Sequence, residues 1–203
     1  ILLQGSTLVV EEGWVVNISK DSLVLKAFTS FPIWDYVPYF HPKQTSIFGM
    51  RIMAIAEQMG ERLSRISRSV SIRERHDFSC AIFDSFGNLI ANAPHVPVHL
   101  GAMGETVKSL IAMRGECIKE GTAWLSNNPY LGGSHLPDIT VIIPVFAEDR
   151  IEAFVATRAH HIDVGGIQAG SMPPFSKSIE DEGLLFTHQL LFNGKDFMSI
   201  DLS

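Results

Sequence analysis

Two apolar runs rich in β-branched residues, ITVIIPVF at 139–146 and IEAFVATRA at 151–159, are separated only by the polar tetrapeptide AEDR. A connection this short favours an antiparallel pair of strands over a crossover to a parallel one. Pairing the runs across this turn returns His160, which follows the second run, to the side of Asp138, which precedes the first. The sequence therefore predicts a hairpin whose open end brings a histidine and an aspartate together.

The rest of the chain mixes strand and helix patterns without a regular βαβ alternation. β-Branched runs within residues 1–30 predict strands, and residues 77–93 predict a hairpin with its turn at 84–88. Helical spacing appears in two sets of apolar residues: Ile52, Ile55, Met59, Leu63, Ile66 and Val70 after Ser46, and Met103, Val107, Leu110 and Ile111 before Gly115. This mixture predicts an α+β fold, in which a mixed, mainly antiparallel sheet and a long N-terminal helix follow a small β element.

The predicted domain boundaries follow these patterns. Residues 1–30 form the small β element, residues 31–44 a linker, and residues 45–203 the main domain. Prolines and aromatic side chains between residues 28 and 43 indicate an extended strap on apolar surface rather than a flexible linker. Because the chain also starts without methionine, we expect it to be a piece of a longer protein.

Composition restricts the partners and the compartment. The formal net charge is -6 with no basic block, so nucleic acid and anionic membrane are not expected partners. No apolar run approaches the roughly 20 residues of a membrane helix. With two cysteines, Cys80 and Cys117, a disulfide scaffold is not expected and a cytoplasmic location is favoured.

A divalent metal site is the main chemical hypothesis. His135 and Asp138 converge if SHLPD turns tightly, which Pro137 assists by fixing φ, and the hairpin adds His160. Imidazole with carboxylate is a ligand set for zinc, manganese or iron. The alternative is that these histidines are solvated or hydrogen-bonded side chains.

Neighbouring residues suggest secondary roles. Only one of His160 and His161 is expected as a ligand, because adjacent strand residues point to opposite faces. Asp163 either orients a ligating imidazole or forms a turn. The segment that carries His95 and His99 has two prolines that argue against a helix, and an extended segment would place both histidines on one face.

Three loops remain ambiguous on sequence alone. NNPYLGGSH, with Asn127 and Gly133, is either a set of turn formers or a backbone that approaches a ligand. Arg75 and Asp77, with Arg73 nearby, either bind an anionic substrate or form surface ion pairs. GSMPPFS is either a lid or a surface loop. The sequence contains no phosphate-binding GxxxxGK[ST], no GxGxxG and no GxSxG, which favours metal-activated water over a nucleophilic mechanism.

Five motifs occur in order between residues 45 and 190: RERHDFSCAIFD, NAPHVPVHLGAM, GGSHLPDITVIIPVF, RAHHIDVGGI and GSMPPFS. Together they resemble the hydantoinase B/oxoprolinase family. The segment from FGMRIM to RHDFSC looks like the start of the B half of fused 5-oxoprolinases. The segment GSTLVVEEGWVVNISKDSLVL is similar to the end of their A half, so the chain is expected to span the junction.

The resemblance implies ATP-dependent opening of a cyclic amide, either 5-oxo-L-proline to L-glutamate, a step of glutathione metabolism, or a hydantoin. It implies that a hydantoinase A-like half uses ATP and Mg to activate the amide, and that the B half completes ring opening with metal-activated water. Related acetone and acetophenone carboxylases carry a metal on a ligand pattern that corresponds to His135, Asp138 and His160.

We expect His161, Asp163 or His99 to move protons, and Arg75, Asp77, Asn127 and Gly133 to bind the substrate. A homo-oligomer is also expected. Two alternatives stay open at this point: an ATP-dependent carboxylase that uses the same site, and a non-catalytic assembly module with structural histidines.

Overall fold

The computed structural model describes residues 2–3, 6–7, 14–18, 23–27 and 42–199. The chain divides into two compact units, Ile1–Lys43 and Gln44–Ser203. In the first unit, β1 (Leu2–Leu3) pairs antiparallel with β2 (Ser6–Thr7), and β3 (Trp14–Ile18) with β4 (Leu23–Ala27). The β runs predicted at WVVNI and SLVL are confirmed by β3 and β4. Most of the predicted strap, residues 28–41, lies outside the described residues.

The long helix differs in detail from its prediction. α1 (Pro42–Ile66) starts before Ser46, and Val70 opens a separate short helix, α2 (Val70–Arg73). The two are separated by serines, where the backbone N–H of Ser69 donates to Ser67 Oγ at 3.1 Å. Serine competes for backbone hydrogen bonds in this way and favours turns over helix interiors.

The apolar face of α1 is also rotated from the predicted one. Ile55 and Ile66 are exposed, whereas Ala56 and Gly60 are buried. A Cβ at Gly60 would lie 2.6 Å from His95 Nε2, so any larger residue there requires the His95 ring to move. Small residues thus define the packed face, which a pattern of large apolar residues does not reveal.

The second unit is built on a six-stranded antiparallel sheet with strand order β10-β7-β8-β9-β5-β6. The strands are β5 (Phe78–Asp84), β6 (Leu89–Asn92), β7 (Thr122–Ser126), β8 (Asp138–Ala147), β9 (Arg150–His160) and β10 (Gln189–Asn193). The hairpin predicted within residues 77–93 is confirmed by β5 and β6. The α+β prediction is confirmed.

One face of the sheet is covered by α3 (Pro97–Arg114). Met103, Val107 and Leu110 are fully buried there, as their helical spacing predicts. The prediction that prolines exclude a helix around His99 is wrong. Pro97 occupies the first turn, where a helix has no partner for the missing N–H and where the fixed φ of proline is favourable.

The opposite face of the sheet packs in part against α1. Ile52 and Ala56 lie with Ile82 and Val155, and Met59 and Leu63 lie with Phe78. A further short helix, α4 (Ile179–Glu182), precedes β10. Among the described residues, no helix is both long enough and apolar enough to cross a membrane.

His188, next to β10, is buried, and its Nε2 lies 2.7 Å from Ser109 Oγ on α3. Burial, and then the positive charge of Arg114, lower the pKa of His188 from 6.5 to about 4. The folded chain therefore keeps this imidazole neutral at pH values where the unfolded chain protonates it.

We expect this difference to destabilise the fold in acid. The His188 contribution should have no effect above pH 6.5 and should lower the free energy of unfolding by about 3 kcal/mol as pH falls to about 4. In His188→Asn the titrating ring is gone, and asparagine tolerates the φ of +46° found at this position. Urea unfolding across this pH range should show wild type losing stability relative to the variant. A constant difference would contradict the neutral, buried imidazole.

Candidate metal centre

The hairpin of β8 and β9 positions the first two residues of the centre. Its turn residues, Glu148 and Asp149, have φ values of +48° and +65°, the left-handed conformation of a tight two-residue hairpin. From this turn the strands pair in antiparallel register until Asp138 lies opposite His160, although the register shifts once between Val145 and Phe146. The predicted hairpin closure is confirmed, and it places Asp138 and His160 side by side at one end of the sheet.

The loop before β8 brings His135 to the same end. The backbone N–H of Asp138 donates to the carbonyl of His135 at 2.9 Å, which closes the tight turn expected of SHLPD. Gly132 has a φ of +86°, and a Cβ there would lie 2.3 Å from the backbone nitrogen of Thr106. At Gly133 a Cβ would lie 2.6 Å from the carbonyl oxygen of Asn128. Both glycines are therefore required by the packing of the chain itself.

Three side chains converge on one point. His135 Nδ1 lies 2.9 Å from Asp138 Oδ2, and His160 Nδ1 lies 3.0 Å from Asp138 Oδ1. One ligand atom from each of the three residues lies within 4.8 Å of the other two. The two imidazole rings stack, with centroids 5.1 Å apart and planes 22° apart. Both rings thus face the carboxylate from neighbouring positions.

These separations fit a divalent ion. Bonds of about 2.0 to 2.1 Å in a tetrahedral site hold ligand atoms roughly 3.3 Å apart. The observed 2.9 and 3.0 Å are hydrogen-bond distances slightly shorter than this and run to different oxygens of Asp138, so an ion would have to displace the shared protons and shift the three side chains. Two imidazoles and one carboxylate suit zinc, manganese or iron.

The carboxylate of Asp138 is buried but ionised. Burial by itself raises the pKa of Asp138, but hydrogen bonds from the surrounding histidines and from Ser134 outweigh it and hold the pKa well below its ordinary value. The hydrogen bond to Asp138 raises the pKa of His135, against a smaller opposing effect of burial. The centre therefore concentrates negative charge on one carboxylate, which favours a cation.

His99 and Asp77 extend the centre on its inner side. His99 Nε2 lies 3.4 Å from Asp138 Oδ2 and 4.0 Å from Asp77 Oδ1, and His99 is 3% exposed. Its Nδ1 lies 3.4 Å from Ser79 Oγ. His99 reaches this position because α3 starts at Pro97, a helix start that the sequence pattern did not predict. The structure therefore places His99 beside the carboxylate of Asp138.

Two residues of the centre were absent from the sequence predictions. Ser134 donates to Asp138 Oδ2, and Arg158 lies fully buried behind the centre. Arg158 donates to Thr140 Oγ1 at 2.8 Å and to the carbonyl of Gly132 at 2.7 Å. The sequence did contain one indication of Arg158. It lies two residues before His160, so both side chains point to the same, inward face of β9.

Two other predicted site residues, Asn127 and Arg75, differ in burial. Asn127 is fully buried, and its side-chain amide bonds to the carbonyls of Leu136 and Leu184 and to the backbone N–H of Phe186. These bonds tie two loops together and leave Asn127 inaccessible to a substrate. Arg75 is exposed.

Asp163 and His161, which follow His160, differ in their surroundings. Asp163 Oδ1 accepts from the backbone N–H of Gly165 at 2.8 Å, which is the turn alternative. His161 is half-buried, and its backbone N–H donates to the carbonyl of Pro137. Burial, and then the neighbouring His160, lower the pKa of His161, so its ring is held neutral beside the centre.

The prediction that His95 and His99 lie on one face of an extended segment is wrong, because α3 starts between them. His95 Nδ1 accepts from the backbone N–H of Cys80 at 3.2 Å, and the ring lines an open cavity of about 400 Å³ beside α1. In the GSMPPFS loop, Met172 and Phe175 are exposed.

Comparison with known proteins gives this geometry a context. Residues 41–199 match the family described as hydantoinase B/oxoprolinase. The Arabidopsis thaliana protein named 5-oxoprolinase 1 is 59% identical over 140 residues, which cover 69% of this chain and 11% of that protein. The chain therefore spans a small part of the length of this relative.

Two solved structures are similar. A nucleotide-free acetone carboxylase matches with a TM-score of 0.70 and 22% identity over 75% of this chain and 20% of its own, which shows the fold alone. An ATP-dependent caprolactamase from Pseudomonas jessenii matches with a TM-score of 0.60 and 26% identity over 72% of this chain and 26% of its own.

Proposed function

The chain belongs to the hydantoinase B/oxoprolinase family, and from that premise we propose that it is part of an ATP-dependent amidohydrolase that opens a cyclic amide. The proposed substrate is 5-oxo-L-proline, converted to L-glutamate, or a hydantoin. The relative named 5-oxoprolinase 1 and the caprolactamase support a ring amide as the substrate class. We propose a hydantoinase A-like half as the partner that uses ATP.

The observation that carries the chemical part of the proposal is the convergence of His135, Asp138 and His160. These three residues would hold a divalent metal. Such an ion supplies Lewis acidity, which polarises a carbonyl oxygen and makes water a better nucleophile at neutral pH. Asp138 contributes the negative charge, and Ser134 fixes the orientation of its carboxylate by donating to Oδ2.

His161 is the proposed proton acceptor. Its ring lies next to the ligand His160, is half-buried, and is kept neutral by a lowered pKa. A neutral imidazole accepts a proton near pH 7, whereas an imidazolium cannot. His99 is proposed to position Asp138 rather than to contact the substrate, because it is nearly fully buried. Asp77, whose side chain is 36% exposed beside His99, is the proposed polar group on the substrate side.

A carboxylase is the second candidate, since the acetone carboxylase shares this fold. It would use the same three ligands with bicarbonate as co-substrate. A non-catalytic assembly role is the third possibility, in which the histidines are structural.

Assays of the chain combined with a hydantoinase A-like half separate these functions. We expect ATP hydrolysis to depend on 5-oxo-L-proline or a hydantoin, to yield the ring-opened product, and to proceed without bicarbonate. ATP hydrolysis that requires bicarbonate and opens no ring would favour the carboxylase. No dependence on any substrate, with the same result for Asp138→Asn, would favour the assembly role.

A further inference from the structure

The turn that joins His135 to Asp138 is not specified by its own residues. It is closed by the hydrogen bond from the Asp138 backbone N–H to the His135 carbonyl, with Leu136 and Pro137 at its centre. Proline in the third position of a turn is disfavoured in type I, because it moves the preceding residue out of the α region. Type II needs a positive φ at that position, which proline cannot adopt. A contact from outside the turn must therefore help to hold its shape.

The carbonyl of Leu136 receives such a contact. Leu136 is 1% exposed, and Asn127 Nδ2 donates to its carbonyl oxygen at 2.8 Å. Among the described residues, no backbone N–H donates to this oxygen. Pro137 has no N–H, so the peptide group between Leu136 and Pro137 has no other way to be anchored by a hydrogen bond. Asn127 thus determines how this central peptide group is oriented.

The amide of Asn127 is itself held from the other side. Its Nδ2 also donates to the carbonyl of Leu184 at 2.8 Å, and its Oδ1 accepts from the backbone N–H of Phe186 at 2.6 Å. A carbonyl only accepts and a backbone N–H only donates, so these partners fix which atom of the amide is nitrogen. Asn127 is 0% exposed and uses both of its N–H groups, which leaves the amide one orientation.

We propose that Asn127 is a positioning residue of the metal centre. By holding the Leu136 carbonyl against the segment 184–186, it keeps His135 and Asp138 at the separation that a divalent ion requires. The inference rests on the proposed function, because it takes these two residues to be metal ligands. Groups that orient ligands from behind are a general feature of metal sites, and they affect metal affinity without touching the ion.

Asn128 provides a matched control. Its Nδ2 donates to Thr187 Oγ1 at 2.9 Å, and its Oδ1 accepts from the backbone N–H of Tyr130 at 2.9 Å. It therefore ties the same two loops together, but its side chain forms no hydrogen bond with residues 135–138 in the described part of the chain. Asn127→Asp and Asn128→Asp both remove the N–H donors, keep an oxygen acceptor and add one ionisable group.

Zinc affinity of the folded chain measures the effect. We expect Asn127→Asp to bind zinc about tenfold more weakly than wild type, as when a group that orients a ligand is lost, and Asn128→Asp to bind as wild type does. The visible absorption of bound cobalt(II), which reports coordination geometry, should change in Asn127→Asp alone. A role limited to tying the loops would lower the free energy of unfolding in urea but would move neither of these measurements. An added negative charge would favour a cation, so it cannot explain weaker binding.

Each outcome has a distinct meaning. Wild-type zinc affinity and cobalt spectrum in folded Asn127→Asp would overturn the role of Asn127 and leave the metal centre intact. An equal loss in both variants would also overturn it, because the connection between the loops would then be sufficient. Absence of zinc binding by wild type would overturn the metal centre itself and this inference with it. If Asn127→Asp does not fold, Asn127→Gln and Asn128→Gln, which lengthen each side chain by one methylene, are compared in the same way.

The glutamine pair is decided by the same criterion. An amide moved by one methylene cannot keep all three partners of Asn127 at their present distances, so Asn127→Gln should also weaken zinc binding. Unchanged zinc binding in Asn127→Gln would overturn the inference.

Discussion

Asp138→Asn is expected to abolish stoichiometric binding of a divalent metal. Asparagine has the shape of aspartate, but it removes the negative charge on which His135 and His160 converge. Loss of a partner that only supports a ligand costs about 10- to 100-fold in metal affinity, so loss of the charged ligand itself should exceed about 100-fold. Metal content by mass spectrometry, and calorimetric titration of the chelator-treated chain with zinc and manganese, measure the effect.

Asp149→Asn is the matched control for this experiment. Asp149 is exposed in the hairpin turn with a φ of +65°, a conformation that asparagine also tolerates. The control should bind metal as wild type does. Metal retained at wild-type affinity in Asp138→Asn would show that the assignment is wrong. Absence of metal from both wild type and variant would return the three residues to a hydrogen-bonded structural cluster.

The approach of His135, Asp138 and His160 could be predicted from the sequence because it depends on hairpin and turn geometry. A two-residue turn with regular pairing would place Asp138 opposite Ala159, and the register shift between Val145 and Phe146 moves its partner to His160, so the lengths of the two apolar runs predict which ends meet but not the final register. His135 follows from local turn geometry three residues away. These contacts depend on chain connectivity more than on the packing of distant elements.

The parts that sequence did not predict depend on tertiary contacts. Pro97 argues against a helix on sequence alone, yet proline is favourable in the first helical turn, and this helix start carries His99 to Asp138. The packed face of α1 uses Ala56 and Gly60, which carry no strong hydrophobic signal. The sequence does not distinguish Arg158 from an ordinary surface arginine, because its neighbours come from three separate segments.

Arg158→Met is expected to cause the largest loss of stability. The guanidinium of Arg158 is fully buried and donates to four acceptors: Thr140 Oγ1, Thr106 Oγ1, and the carbonyls of Gly132 and His99. These acceptors belong to β8, to α3 and to the glycine loop before His135. Burial lowers the pKa of Arg158 to about 10, although Asp138 opposes this shift, so the group remains charged at neutral pH.

Methionine fills much of the same volume but leaves these acceptors without a donor, which should cost about 3 to 5 kcal/mol. Arg158→Lys keeps the charge but cannot extend planar donors in several directions, so a smaller loss of about 1 to 3 kcal/mol is expected. Urea unfolding in the presence of a chelator measures both without a contribution from metal. The exposed control Arg62→Met should stay within about 0.5 kcal/mol of wild type.

Burial of a cation carries a desolvation penalty. That penalty explains the result if Arg158→Met does not lose stability. Within the described residues, Arg158 has no carboxylate at ion-pair distance, so hydrogen bonds must offset most of this cost. If Arg158→Met is as stable as wild type, the hydrogen bonds of Arg158 only offset its desolvation penalty, and the glycine loop is held by its own packing. If it is less stable and also binds metal more weakly when folded, Arg158 fixes the loop that carries His135. A loss of stability with unchanged metal affinity would instead limit Arg158 to holding β8 and α3 together.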